Sequence, residues 1–139
     1  MHMPTRTMSK SDFESLAGFR YQLRRFLRFS EEVTRKSGVT PLQYQLMLQI
    51  KGFPGRDWAS VAELAERLQA KHHGVVALIS RCEATGLVRR SASRSDQRRV
   101  EVRLTPAGEQ RLEHLAHLHR EELRSVKAGF VVPGIDGDA

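Results

Sequence analysis

This chain has few of the residues that stabilise small proteins by covalent or aromatic means. One cysteine, Cys82, in 139 residues excludes an intrachain disulfide framework and fits a reducing cytoplasm. Aromatic residues make up 6%, with a single tryptophan and two tyrosines, too few to argue for a dedicated aromatic cage. No apolar run approaches the roughly 20 residues of a membrane-spanning helix. The opening Met1–Met8 lacks the apolar core of a signal peptide. No nucleophile elbow, P-loop, dinucleotide fingerprint or zinc-protease motif occurs. Enzyme is therefore the least favoured class, and no catalytic residue, cofactor or metal is assigned. Internal repeats and low-complexity segments are absent.

Acidic residues are also short. Sixteen Asp and Glu face 23 Lys and Arg, which leaves a net charge of +7 and favours a polyanionic partner, without identifying a fold. An apolar fraction of 40% with 28% charged residues reads as one soluble domain, large enough to bury a core. The positive charge is concentrated. Between Gly86 and Thr105 stand Arg89, Arg90, Arg94, Arg98, Arg99 and Arg103 against only Asp96 and Glu101, a local net charge of +4. Charge gathered in one such segment, rather than along an amphipathic helix, favours nucleic acid over a membrane surface.

The hydrophobic pattern supplies the frame. Ser11 and Glu14 have capping-box spacing. Leu16, Phe19, Leu23, Phe26 and Val33 follow as one apolar stripe of a long helix ending near Gly38. Arg20, Arg24, Arg25 and Arg28 fall mostly on its other side. The stripe packs either on this chain's own core or on a second subunit. Thr40, Pro41 and Gln43 form a second helix start, and Leu42, Leu46, Met47, Ile50 and Phe53 carry its period to about Lys51. Gly52–Gly55 punctuates. Ser60 and Glu63 cap a short third helix with Val61, Leu64, Ala65 and Leu68 on its stripe.

The fourth helix spans about Lys71 to Thr85 and stops at Gly86. Val75, Leu78, Ile79 and Cys82 form its buried face. His72, His73, Gly74, Ala77, Ser80 and Arg81 lie on or beside the opposite face, with Val76 at the edge, placed to pack or to touch a thymine methyl. Leu87–Arg90 reads as a short strand, and Val100, Val102 and Leu104 alternate with Glu101 and Arg103 as a second. Thr105 and Pro106 then open a last long helix, through Leu112, Leu115, Leu123 and Val126 to about Lys127. The expected fold is mainly α with a small β-hairpin wing: a winged helix-turn-helix flanked by long terminal helices. Residues 1–8 and 129–139 are expected to be flexible tails.

The residues that carry this layout resemble the MarR (multiple antibiotic resistance regulator) family of bacterial transcription regulators across nearly the whole chain. They are Leu42–Ile50, Val61–Leu68, Val75–Arg81, Gly86–Val88 and a wing signature, Asp96-x-Arg98 followed after five residues by Leu104-Thr-Pro-Ala-Gly108. Their order and spacing together are specific. The resemblance implies a homodimer through helices at 9–37 and 105–128, with a DNA-binding lobe at 40–104. It also implies a pseudo-palindromic duplex operator, with release by a small-molecule effector or by oxidation. The expected protein is a cytoplasmic repressor. Two departures stand out. A glycine- and proline-bearing segment follows residue 128 where the family usually has a further helix, so the dimer interface is expected to be smaller or rearranged. Lys71-His-His-Gly74 replaces the commoner hydroxyl residues at the head of the fourth helix, so operator preference does not carry over.

The first part of a recognition helix reaches base edges in the major groove. That assigns His72, His73 and Ala77 to the groove, Gly74 to a close backbone approach, and Arg81 to a phosphate or guanine. Ser80 lies on the same polar face, and Ser60 and Lys71 are placed for phosphates from the flanking turns. Arg98 is expected at the wing tip in the minor groove, with Arg94 and Arg99 on phosphates. By resemblance, Asp96 orients the wing arginines. Three weaker patterns are the trio His114, His117 and His119, which is better read as a polar helix face or dimer contact than as metal ligands; Cys82, better read as a small buried thiol than as a redox switch; and Phe19, Tyr21, Phe26, Phe53 and Trp58, better read as core than as the lining of an effector pocket. The competing functional reading is a basic winged-helix module, architectural, RNA-binding or protein-binding, without operator specificity.

Overall fold

A computed structural model of the chain describes residues 7–93, 95–96, 98–127 and 130–134. The order is α1 (Lys10–Lys36), α2 (Pro41–Lys51), β1 (Trp58–Ala59), α3 (Val61–Leu68), α4 (His72–Ala84), β2 (Val88–Ala92), β3 (Val100–Leu104) and α5 (Pro106–Val126). This is the expected mainly helical winged helix. The sheet has one strand more than the expected hairpin. β3 is its centre, antiparallel to β2 with Arg90 opposite Val102, and antiparallel to β1 with Trp58 opposite Arg103.

Side-chain caps set three helix starts as the sequence predicts. Thr40 Oγ1 accepts the Gln43 N–H while Gln43 returns the bond to Thr40 N–H. Ser60 and Glu63 do the same for α3, and Thr105 Oγ1 accepts the Gly108 N–H. α1 differs. Its cap is Ser9 with Asp12, not Ser11 with Glu14. The two serine–carboxylate frames overlap, and the observed one starts the helix earlier, at Lys10, with the Ser9 and Asp12 amides satisfied.

The core joins the three helices α2, α3 and α4 to the sheet and the first half of α5. Leu46, Met47, Ile50, Leu64, Val75, Ile79, Cys82, Val88, Val102 and Leu115 are fully or almost fully buried. In α2 the burial is phased differently from the sequence expectation: Tyr44 is buried, whereas Leu42 is 54% exposed. Of the stripe expected on α1, Phe19, Leu23, Phe26 and Val33 are half-buried and Leu16 is exposed, as are Phe13, Tyr21 and Leu27 outside it. Leu123 of α5 is exposed too.

α1, α2 and α5 meet at His119. The ring is buried, stacks on Tyr44 at 4.3 Å between centroids, and meets Phe26 and Phe29 edge-on. Nδ1 lies 2.7 Å from the Leu115 carbonyl and Nε2 lies 2.8 Å from Ser30 Oγ. A carbonyl only accepts, so Nδ1 carries a proton, and Nε2 pairs with the Ser30 hydroxyl. The expected polar helix face therefore does not include His119, and both of its nitrogens are occupied by groups other than a metal. Among the described residues there is no group of three His, Cys, Asp or Glu placed to hold a metal ion. Arg111 also ties α5 to α1 by donating to the Ser37 carbonyl. Past α5, Phe130 packs edge-on against Phe19 with centroids 5.6 Å apart, so this part of the expected tail lies against α1. No helix among the described residues is long and apolar enough to cross a membrane.

Candidate nucleic-acid interface

α3 and α4 are joined by a turn that needs one left-handed residue, Gln69 at φ 51°. This short connection sets α4 across α3 with Val75, Leu78, Ile79 and Cys82 inward. His72, His73, Gly74, Ala77, Ser80 and Arg81 are then all exposed. Lys71 occupies the N-cap of α4 and makes no side-chain cap bond. The amides of the first turn are consequently not closed off by the cap side chain, and the helix dipole points their partial positive charge outward. A methyl group built at Gly74 meets nothing within 4 Å, so glycine there is not demanded by this chain's own packing. Ser60 sits at the other end of the pair, its Oγ already accepting the Glu63 amide.

The wing stands beside this helix because Arg90 holds it there. From β2, its guanidinium donates to Glu83 Oε1 (Nη2 at 2.9 Å) and to Ser80 Oγ at 3.0 Å, while its backbone N–H donates to Glu83 Oε2. These bonds from the Arg90 backbone and side chain hold the Glu83 carboxyl below its ordinary range. Ser80 thus serves as an acceptor for the wing strand on the exposed face of α4. Arg103 is likewise engaged, by Asp57 at 3.1 Å and Glu101 at 2.9 Å. The local +4 counted from sequence is therefore not all directed outward: Arg90 and Arg103 spend their charge inside the lobe.

At the wing tip, Ser93 is buried and its hydroxyl accepts the Ser95 and Asp96 amides. Asp96 Oδ1 accepts the Arg98 backbone N–H at 3.0 Å and lies 3.5 Å from Arg98 Nε. The Arg98 side chain is 94% exposed. Arg99 closes the loop through its backbone, donating to the Asp96 carbonyl and accepting from the Ser93 N–H. Its guanidinium sits 5.0 Å from the Trp58 ring centroid. Arg94 lies outside the described residues.

Trp58 was not among the expected interface residues. A two-residue strand has no readable period, and its position against β3 exists only in the folded sheet. The aromatics considered for an effector pocket do not come together either. Phe26 belongs to the His119 cluster, Phe19 faces Phe130, Tyr21 lies under Arg25, and Phe53 and Trp58 flank Arg56. Cys82 is buried, and burial pushes its thiol up to about 11. That is the reverse of the depressed value a reactive thiolate needs.

A helix-turn-helix whose second helix is exposed along one face, with an arginine-tipped hairpin fastened beside it, defines a winged helix-turn-helix protein. Residues 37–99 match the model of the MarR family. The proposed transcriptional regulatory protein for the hcr operon of Thauera aromatica is 32% identical over 93 residues, 67% of this chain and 54% of that protein. The HTH-type transcriptional repressor MdtR of Bacillus subtilis (strain 168) is 30% identical over 84 residues, 60% of this chain and 52% of that one. The chain thus spans about half the length of these curated relatives. In fold it is similar to AbsC, a MarR family transcriptional regulator from Streptomyces coelicolor, with a TM-score of 0.75 at 22% identity over 93% of this chain and 86% of the other.

Proposed function

We propose that this chain is a sequence-specific, duplex-DNA-binding transcriptional regulator acting as a homodimer. The observation that carries the reading is the juxtaposition made by Arg90. It clamps the wing strand to Ser80 and Glu83 of α4, so that the exposed His72–Arg81 face and the Arg98 tip belong to one rigid lobe. A helix of that exposure suits the major groove, and an arginine at a hairpin tip suits the adjoining minor groove. His72, His73 and Ala77 read base edges, and Lys71, Arg81, Arg99, Arg94 and Ser60 meet phosphates. Asp96 sets the direction of Arg98.

Homodimerisation is supported by the apolar residues that α1 and α5 leave uncovered, Phe13, Leu16, Leu27 and Leu123 among them. A second copy buries them and sets two lobes on a pseudo-palindromic operator. The repressor reading follows the relative MdtR. For release by a small molecule, a cleft of about 310 Å³ between α2 and α5 offers space beside Leu48, Leu112 and Ala116, with the Lys51–Glu109 ion pair at hand.

The test is a titration of the purified chain with duplex DNA from the intergenic region upstream of its own gene, against excess random duplex and at two salt concentrations. Saturable binding that survives the competitor is expected. Binding that the competitor abolishes would instead favour the architectural module, since phosphate contacts alone carry no sequence information.

A further inference from the structure

A row of alternating cations and aromatic rings runs from the wing to the first helix of the helix-turn-helix. Arg99, at the base of the wing loop, lies 5.0 Å from the centroid of Trp58. Arg56 lies 3.9 Å from the same ring and 4.2 Å from that of Phe53. Arg67 of α3 then lies 5.1 Å from Phe53. The middle of the row is anchored, because Arg56 is paired with Glu63, and Glu63 is itself fixed at the start of α3 by its capping bonds with Ser60. Burial alone would raise the Glu63 carboxyl, but the bonds from Ser60 and Arg56 hold it below its ordinary range.

Each contact favours a cation over the negative face of a ring, and tryptophan provides the strongest such face. Arg99 has no carboxylate partner among the described ion pairs, unlike its neighbours Arg90, Arg98 and Arg103. Its side chain has the indole instead, which orients a guanidinium without neutralising it. Its backbone, meanwhile, closes the turn that carries Arg98.

We infer that Trp58 is a positioning residue for the wing: it holds Arg99, and through Arg99 the 96–99 turn, in place before DNA arrives. This rests on the DNA-binding reading above. The physical gain is that a long arginine side chain and its loop are partly ordered in advance, which lowers the ordering cost of association. β1 does not need the indole to pair, since its register against Arg103 and Val102 is a backbone matter and buried Ala59 supplies its inward side chain.

The experiment is a double-mutant cycle on the full chain, using Trp58→Ala, Arg99→Ala and both together. The probe is a duplex enriched by the unaltered chain from a random-sequence pool. Trp58→Ala should weaken binding about two- to fivefold, and adding it to Arg99→Ala should cost nothing further, because its effect passes through that side chain. Trp58→Phe, which keeps a ring, should recover most of the loss. The chain has one tryptophan, so its emission reports the contact directly, and Arg99→Ala should alter the spectrum of the free protein. Losses that simply multiply would overturn the inference in favour of a general structural role. So would an emission spectrum indifferent to Arg99→Ala, which needs no Trp58 variant to fold. Failure of the unaltered chain to enrich or bind any duplex would instead reject the DNA reading itself, and this inference with it, before any variant is made.

Discussion

Gly74→Ala separates what the fold needs at the head of α4 from what a bound duplex would need. Gly74 is the third residue of a helix beginning at His72, it is exposed, and an added Cβ meets nothing within 4 Å. The folded chain can accept the methyl without strain. Alanine is favoured over glycine inside a helix by about 1 kcal/mol, and half of that is a fair share in the first turn. An unfolding entropy of about 2.1 cal/mol/K per residue converts 0.5–1 kcal/mol into a rise of about 2–3 °C in the melting temperature of a chain this size. Duplex binding should move the other way. If the backbone at Gly74 approaches the groove, the methyl is an overpacking of the interface, with a cost of about 1–3 kcal/mol, or roughly five- to 150-fold in affinity per lobe. Thermal melting by circular dichroism and a duplex titration of the same preparation give both signs. Unchanged affinity with raised stability would refute the close approach. A drop in stability would refute the open space around the Cβ.

Other substitutions test neighbouring parts of the argument. Arg98→Ala should weaken duplex binding and reduce the slope of log affinity against log salt by about 0.9 if the exposed guanidinium neutralises one phosphate; an unchanged slope and affinity would remove the wing tip from the interface. Gly108→Ala should destabilise the fold by about 3 kcal/mol, because the new Cβ would stand 2.0 Å from the Leu87 carbonyl oxygen, which also accepts the Thr105 N–H. A melting temperature within a degree of the unaltered chain would contradict that packing. Cys82 should resist thiol reagents at pH 8 until denaturant is added. Its folded value of about 11 lies above its ordinary value of 9.0, so its contribution to stability is complete below pH 9 and is lost as pH rises from 9 to 11. Denaturant midpoints measured across that range should fall less steeply in Cys82→Ala.

Much of this architecture is written in local sequence. Thr40, Ser60 and Thr105 each stand three residues before the amide they cap, and proline follows two of them, so three helix starts are fixed by neighbours in the chain. The alternation of Val100–Leu104 and the stop at Gly86, with φ at 79°, are of the same kind, and so is the surplus of arginine between them. Tertiary structure decided what depends on residues far apart. His119 looks polar in sequence, yet crossing helices bury it on Tyr44 and bring Ser30 to its Nε2. The arginine count gave the charge of the hairpin, but its direction depends on partners many residues away: Glu83 takes Arg90, Asp57 takes Arg103, and Trp58 receives Arg99. Backbone caps and periodicity act within a few residues, so the chain spells them out. Burial and charge pairing act through space, so they are settled only when the strands and helices meet.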